Sequence, residues 1–170
     1  GTWADLSGKR NHAARHASPK VKTHKPSGLQ VVRYHSQSND YHEFKEIKNI
    51  RTVFWVMSKT SGNSGSLLCH PSAHHFYSNG DKFWHPKHTH EHIRNGNLRI
   101  NGTKANAESI YPNKLSVVSL RTTGDVIASR FGRDRNHGGK YNWNGEIGEL
   151  IIFSEALKDE QIEQIENHLI

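Results

Sequence analysis

The strongest constraint on the fold is an apolar segment near the end of the chain that has hydrophobic residues on both faces. Residues 146–153 alternate with the period of two that is typical of a β-strand. The pattern predicts that one face carries Ile147, Ile151 and Phe153 and the other carries Leu150 and Ile152. A strand of this kind must be covered by the chain on both sides.

A helix is predicted directly after this strand. Beyond Leu157 the apolar residues change to helical spacing, and Ile162, Ile165 and Leu169 form one stripe. A helix of about eleven residues is marginal alone in water. We therefore expect it to dock on the chain, and the second face of the preceding strand is the nearest candidate.

Short strands separated by turns rich in Gly, Asn and Asp are predicted for the rest of the chain. Residues 51–58 give the strongest strand, apolar on both faces as a central strand would be. Asn101-Gly102 is a hairpin signal, and residues 122–125 are expected to form a turn between strands 115–120 and 126–131. About ten to twelve short strands with one terminal helix indicate an all-β sandwich.

Both ends and the middle of the chain resemble the laminin-G-like, concanavalin A-like jelly-roll family. Residues 144–169 resemble the family's closing strand and helix, although Lys158 stands where the family often has a capping Ser, a role that Asp159 can take over. Trp3-Ala-Asp-Leu-Ser-Gly8 resembles its start, and Ile100-Asn-Gly102 and Phe131-Gly-Arg133 resemble its middle signatures. The resemblance implies one domain over residues 1–170, a jelly-roll sandwich of two antiparallel sheets with a short C-terminal α-helix.

The same resemblance implies an origin in a larger protein. The chain starts at Gly1-Thr2-Trp3, within a segment that family members usually precede with another strand. We expect a module of an exported bacterial protein, outside the cell or at its surface. No apolar run approaches the roughly 20 residues of a membrane span. Cys69 is the only cysteine, and its apolar neighbours predict a buried thiol.

Positive charge is concentrated in the N-terminal part of the chain. The net charge is +7, from 23 basic and 16 acidic residues. Residues 9–33 contain seven basic residues and no acidic ones, so the remainder sums to zero. The stretch is either a solvated basic edge or a patch that faces a polyanion, such as an acidic polysaccharide. Nucleic acid is not expected, because the aromatic–basic interleaving of an RNA-binding motif is missing.

Histidine is the compositional oddity, with 14 residues, of which seven fall between His70 and His92. In His88-Thr-His90-Glu-His92 an extended backbone would place successive imidazoles about 7 Å apart, which is wide for one zinc ion. A looped segment could bind zinc, and a solvated polar loop is the alternative. Asp5 either stabilises a turn before Gly8 or, as in related domains, contributes to a calcium site at the rim. We expect that the domain requires no cofactor, and that zinc or calcium, if bound, is an addition.

Two aromatic residues near polar loops are candidates for sugar binding. Trp84 and Trp143 would supply flat apolar faces for a pyranose ring, or would instead pack in the core. The hydrogen bonds and charges would come from His88, Arg133, Asp134 and Asn136.

Catalysis is not predicted. Retaining glycosidases need two carboxyl groups about 5–5.5 Å apart, and the spacing of Glu146 and Glu149 predicts opposite faces of a strand. The sequence therefore favours a non-catalytic carbohydrate-binding module, with an acidic glycan as ligand. The alternatives are an adhesion or scaffold domain that binds protein partners, which buried Trp84 and Trp143 would favour, and a polyanion-binding module.

Overall fold

The computed structural model describes residues 1–60, 62–73, 75–135 and 141–169, which form eleven strands and two helices. Neither helix is long and apolar enough to cross a bilayer within this part of the chain. The elements are β1 (Thr2–Trp3), β2 (Ala13–His16), β3 (Lys20–Thr23), β4 (Gln30–Tyr34), β5 (Tyr41–Lys59), β6 (Ser66–Cys69), β7 (His75–Tyr77), α1 (Glu91–Arg94), β8 (Asn97–Ile100), β9 (Thr103–Ala105), β10 (Ser116–Phe131), β11 (Gly145–Phe153) and α2 (Asp159–Leu169).

All eleven strands belong to one antiparallel sheet that is organised by its two long strands, β5 and β10. These strands pair from Ser116 and Met57 at one end to Phe131 and His42 at the other. The end of the pair near Ser116 and Met57 is the first half of the sheet; there β11, β4 and β3 continue from β5, and β8 and β9 continue from β10. The end near Phe131 and His42 is the second half; there β2 and β1 continue from β5, and β6 and β7 continue from β10.

The two halves of the sheet pack face to face around one core. Trp55 of one half meets Phe76 of the other at 5.8 Å between ring centroids, and Tyr34 bonds His42 of the other half at 2.7 Å. The aromatic rings lie edge to face, the arrangement that their quadrupoles favour. The prediction of an all-β, antiparallel architecture with β5 as a central strand is therefore confirmed.

The turn predicted at residues 122–125 is wrong, because β10 runs through it without a break. The pairing with β5 shifts between Arg121 and Val126, so the extra residues are absorbed as a bulge. Thr122 is buried, and its hydroxyl donates to the Gly124 carbonyl at 2.7 Å. By contrast, the hairpin at Asn101-Gly102 is confirmed, since both residues have positive φ and join β8 to β9.

A second bulge corrects the faces predicted for β11. Ile147 pairs with Met57 and Glu149 with Val56, so Gly148 is an extra residue in the ladder. Ile147, Leu150 and Ile152 therefore face the main core together, while Ile151 and Phe153 face the opposite side.

The bulge also places Glu146 and Glu149 on the same outer face, and the prediction of opposite faces is wrong. Glu146 is engaged in an ion pair with Lys22 of the edge strand β3.

The predicted C-terminal helix is present and docks on the second face of the sheet. Ile162 of α2 packs with Phe54 and Leu157, and Ile151, Phe153, Ile165 and Leu169 complete this small cluster. The buried Glu166 carboxylate accepts from Nε and Nη2 of Arg99 at 3.0 Å and from the Ser119 hydroxyl at 2.6 Å. The helix is thus held both by apolar contact and by a buried ion pair.

Cys69 is fully buried, as predicted. Burial raises the pKa of its thiol to about 12. The Sγ atom lies 2.9 Å from the Arg133 carbonyl, to which the thiol donates.

Alanine substitutions of two glutamates of α2 separate the contribution of the buried ion pair to the free energy of unfolding from that of helix propensity. We expect Glu166→Ala to destabilise the fold by about 3 kcal/mol, because it leaves the Arg99 guanidinium without its buried partner. Glu163 contacts the same arginine at 3.6 Å but is 57% exposed, so Glu163→Ala should cost less than about 1 kcal/mol. Urea unfolding of both variants measures the difference, and equal losses would contradict the anchoring role of Glu166.

Candidate functional site

Neither Trp84 nor Trp143 can act as a stacking platform in this structure. Their exposed fractions are 1% and 0%. Trp84 packs edge to face with Phe83 at 5.3 Å, and Trp143 packs with Tyr111 at 5.3 Å. Sugar stacking requires an exposed ring face, so the assignment of these two residues to the ligand site is corrected: both belong to the core.

A polar cavity of about 380 Å³ contains two of the predicted histidines. We call it the histidine pocket. Its lining is polar and mainly basic, and consists of Ala73, His75, Lys87, His88, Thr89, His90, Glu91, Arg94 and Arg135. Of the predicted ligand-binding residues that the structure describes, only His88 lines it directly, and His90 comes from the candidate metal set.

The loop that carries Lys87 and His88 is fixed by local hydrogen bonds. The His85 amide donates to the Thr89 hydroxyl at 3.0 Å, and that hydroxyl donates to the Tyr77 carbonyl at 2.6 Å. The amides of Lys87 and His88 both point at Nδ1 of His85, at 3.1 and 3.3 Å. An acceptor at Nδ1 requires the neutral tautomer of His85 with its proton on Nε2. This bonding presents the side chains of the exposed Lys87 and His88 at the rim of the pocket.

The short helix α1 forms another wall. Its N-cap is His90, whose Nδ1 accepts from the His92 amide at 3.2 Å. Glu91 and Arg94 are three positions apart and so lie on one side of the helix, which is the side that lines the pocket. Arg94 also donates to the Pro86 carbonyl, which ties α1 to the loop.

The floor of the pocket is a buried polar cluster that the sequence did not reveal. His75 Nε2 lies 3.2 Å from Asp134, His75 Nδ1 lies 3.0 Å from the Ser66 hydroxyl, and that hydroxyl lies 3.2 Å from the same Asp134 oxygen. The Nε2–H group of His75 donates to Asp134, and the one proton of the Ser66 hydroxyl is available to that carboxylate or to His75 Nδ1. The three side chains thus form one buried hydrogen-bonded cluster.

A Ser, a His and an Asp in contact invite comparison with a hydrolytic triad, but the geometry serves another purpose. The Ser66 side chain is 0% exposed, so a substrate does not reach it. Its hydroxyl contacts both His75 Nδ1 at 3.0 Å and Asp134 at 3.2 Å, so the three buried groups bond one another. The cluster holds the His75 ring in place beneath the pocket.

Positive charge prevails around the cavity. Lys87, Arg94 and Arg135 are opposed by one carboxylate, Glu91. Burial, followed by the neighbouring His92 and Arg94, lowers the pKa of His90 from its ordinary value of 6.5. His90 is therefore mostly neutral near pH 7. The pocket gains charge when the histidines around it are protonated.

The predicted zinc ligands do not converge. His88 and His90 line the pocket, but the His92 ring turns away and lies 2.9 Å from the Thr123 hydroxyl. In the part of the chain that the structure describes, no group of three His, Cys, Asp or Glu side chains is placed to hold a metal ion.

Asp5 orders the N-terminal loop. Its two carboxylate oxygens accept from the amides of Ser7 at 2.9 Å and Asn11 at 2.8 Å. Hydrogen bonding by Ser7, and then by Asn11, holds the pKa of Asp5 below its usual value. Both oxygens are thus already engaged by backbone groups, which is the turn role that the sequence suggested beside the calcium one.

The remaining predicted residues lie beside the pocket. Asp134 is buried in its floor. The Arg133 guanidinium stacks over the Tyr41 ring at 4.8 Å rather than lining the pocket. Asn136 lies outside the described residues. Sequence reasoning missed Lys87, Arg94 and Arg135, and the density of histidines between residues 70 and 92 was the one signal that pointed to this region.

A second and larger cavity has a volume of about 550 Å³. We call it the arginine cavity. It is lined by Asn95, Gly96, Asn97, Arg99, Lys104, Ala105, Arg121 and Asp159.

Comparisons with known proteins give no family for this chain. No family model, no curated protein and no solved structure matches it. The functional argument therefore depends on the geometry of the two cavities.

The buried cluster of His75, Ser66 and Asp134 under the pocket is open to a direct test. We expect Asp134→Ala to destabilise the fold by about 3 kcal/mol, because it leaves His75 and Ser66 without their buried acceptor. Asp125 is 62% exposed and lies 3.8 Å from Arg51, so Asp125→Ala should cost less than about 1 kcal/mol. Chemical denaturation compares the two variants, and a loss for Asp134→Ala no larger than that of the control would refute the stabilising role of the cluster.

Proposed function

We propose that this chain is a non-catalytic module that binds an acidic carbohydrate in the histidine pocket. The observation that carries the proposal is the convergence of Lys87, Arg94 and Arg135 on one cavity. Glu91 is the one carboxylate of the described lining, and the Asp134 carboxylate in the floor is engaged by His75 and Ser66. The binding needs no metal ion or other cofactor.

The chemistry of the lining suits a sugar that bears a carboxylate or sulfate group. Guanidinium groups bind such anions through paired N–H donors with fixed directions, and lysine adds a mobile charge. Nε of Arg135 is buried without a hydrogen-bond partner among the described residues. Glu91 and the unprotonated ring nitrogen of a neutral His88 offer acceptors for sugar hydroxyls. Because no tryptophan face is exposed here, charge rather than ring stacking would select the ligand.

The proposal extends to the fold class and the setting of the module. An antiparallel sheet folded on itself, with a closing strand followed by a docked helix, is compatible with a concanavalin A-like jelly roll. We propose that class for the chain, and a location outside the cell or at its surface as part of a larger exported protein.

An adhesion or scaffold domain that binds a protein partner is the second candidate. The burial of Trp84 and Trp143 favours it, because the two aromatic platforms expected of a lectin are absent from the surface. Such a domain would bind no free oligosaccharide, whatever its charge.

A general polyanion surface at residues 9–33 is the third candidate. The edge strand β3 exposes Lys20 and Lys22 in this stretch, and Lys25 follows in an exposed turn. Binding there would depend steeply on salt and would tolerate nucleic acid as well as glycan.

Removing one charge from the pocket separates these candidates. We expect Lys87→Ala to weaken binding of polygalacturonate or heparin about three- to tenfold, in line with the loss of one charged contact. Lys25→Ala removes the same charge from the β3–β4 turn and should leave the affinity unchanged. Titration calorimetry at constant ionic strength, with neutral dextran as a ligand control and with and without a chelator, gives the comparison.

Two other results have distinct meanings. Equal weakening by Lys25→Ala and Lys87→Ala would assign the binding to the general polyanion surface. Failure of both acidic polymers to bind the wild-type chain would overturn the proposal and leave the adhesion or scaffold domain as the better explanation.

Acidic pH should strengthen binding. Lowering the pH from 7.5 to 5.5 protonates imidazoles around the pocket, so we expect about three- to tenfold tighter binding of an anion. An anion bound beside His90 also raises its pKa, and protons are then taken up on binding. The charged and titratable groups of the pocket that accompany His90 are His75, Lys87, His88, Glu91, His92, Arg94 and Arg135.

The substitution His90→Asn tests this dependence without removing the helix cap. Asn is a good N-cap residue, so α1 is retained while one titrating group is lost. We expect a smaller gain in affinity at low pH and fewer protons taken up, measured by calorimetry in buffers of different ionisation enthalpy. An unchanged pH profile would exclude His90 from the site.

A further inference from the structure

The linings of the histidine pocket and the arginine cavity follow one another in the chain at the end of α1. Arg94 is the last residue of the helix and lines the histidine pocket, and Asn95, the next residue, lines the arginine cavity. Consecutive Cα atoms are about 3.8 Å apart. The end of α1 therefore contributes a residue to each cavity.

The arginine cavity offers hydrogen-bond donors held in fixed positions. Nε and Nη2 of Arg99 are bound to Glu166, and Nη1 of Arg121 donates to the Leu157 carbonyl at 2.7 Å and pairs with Asp159 at 2.7 Å. A guanidinium has five N–H donors. Both arginines therefore keep donors beyond those that these contacts use, with little rotamer freedom left to lose on binding.

One cation of this cavity is available to a ligand. Arg99 is opposed by Glu166 and Glu163, and Arg121 is opposed by Asp159. Lys104 lies on the edge strand β9, is exposed, and forms no ion pair among the described residues. The side-chain amides of Asn95 and Asn97 add both donors and acceptors. This combination suits a hydroxyl-rich unit with one acidic group near Lys104.

We propose that the ligand is an extended acidic oligosaccharide that occupies the histidine pocket and the arginine cavity together across the end of α1, with a separate segment longer than one sugar unit in each. This inference rests on the proposed function and adds the length of the ligand to it. Once one segment is bound in the histidine pocket, the following segment is presented to the arginine cavity at high effective concentration. Affinity should then rise with chain length until both cavities are filled.

A length series tests the inference. The probes are the dimer, tetramer and octamer of galacturonate and a matching series derived from heparin. The proteins are the wild-type chain, Lys104→Ala, Lys87→Ala and the control Lys25→Ala, measured by calorimetry at constant ionic strength. A longer oligosaccharide contains more units that can bind to one site, so its apparent affinity rises even without a second cavity. Comparing the variants at the same oligosaccharide length cancels this effect.

We expect the wild-type chain to bind the octamer at least about tenfold more tightly than the dimer. Lys104→Ala should weaken octamer binding about threefold and leave dimer binding unchanged, because the dimer occupies the histidine pocket alone. Lys87→Ala should weaken both, and Lys25→Ala neither.

The two possible failures are distinguishable. If the dimer binds as tightly as the octamer and Lys104→Ala has no effect at any length while Lys87→Ala still weakens binding, the two-cavity inference is overturned and the proposed function stands. If neither series binds at any length, the proposed function fails as well.

Discussion

The pairing of β5 with β10 is the constraint on which the rest of the structure depends. The two strands run side by side from one end of the molecule to the other, and every other strand is joined to one of them directly or through neighbours. Shifts in their register let the ladder bend, so the two halves of one sheet cover each other's apolar faces. Bends, and not a separate second sheet, close the core.

The histidine pocket lies where this framework ends and short connecting segments begin. The walls of the histidine pocket come from the His85–His90 loop and α1, and its floor comes from β6, β7 and Asp134. Such segments have little apolar surface of their own and are held instead by polar contacts, including the buried His75–Asp134 pair and the His90 cap. The groups that stabilise the segments are thus adjacent to those available for a ligand.

The sequence was sufficient for elements defined by hydrophobic period and insufficient for features defined by inserted residues. The closing strand, the docked helix, the central strand and the Asn101-Gly102 hairpin follow from local pattern. The bulges do not, because extra residues in a ladder leave no mark on the composition: Gly148 is one extra residue in β11, and residues 122–125 of β10 stand opposite Arg51 alone. The same limit applies to the site. The histidine cluster is visible in the sequence, but Asp134 and Arg135 follow the end of β10, about 45 residues further along the chain, and only the fold brings them to the pocket. Burial of Trp84 and Trp143 depends on the assembled core, which no local pattern reports.

The reactivity of the single thiol can report local opening of the fold around β6. Cys69 lies in the core between the two halves, and only the thiolate reacts with alkylating reagents. While the fold is closed, burial suppresses both access and ionisation. Labelling of the native chain therefore records the rare moments at which β6 separates from β10, and its rate gives the free energy of that separation.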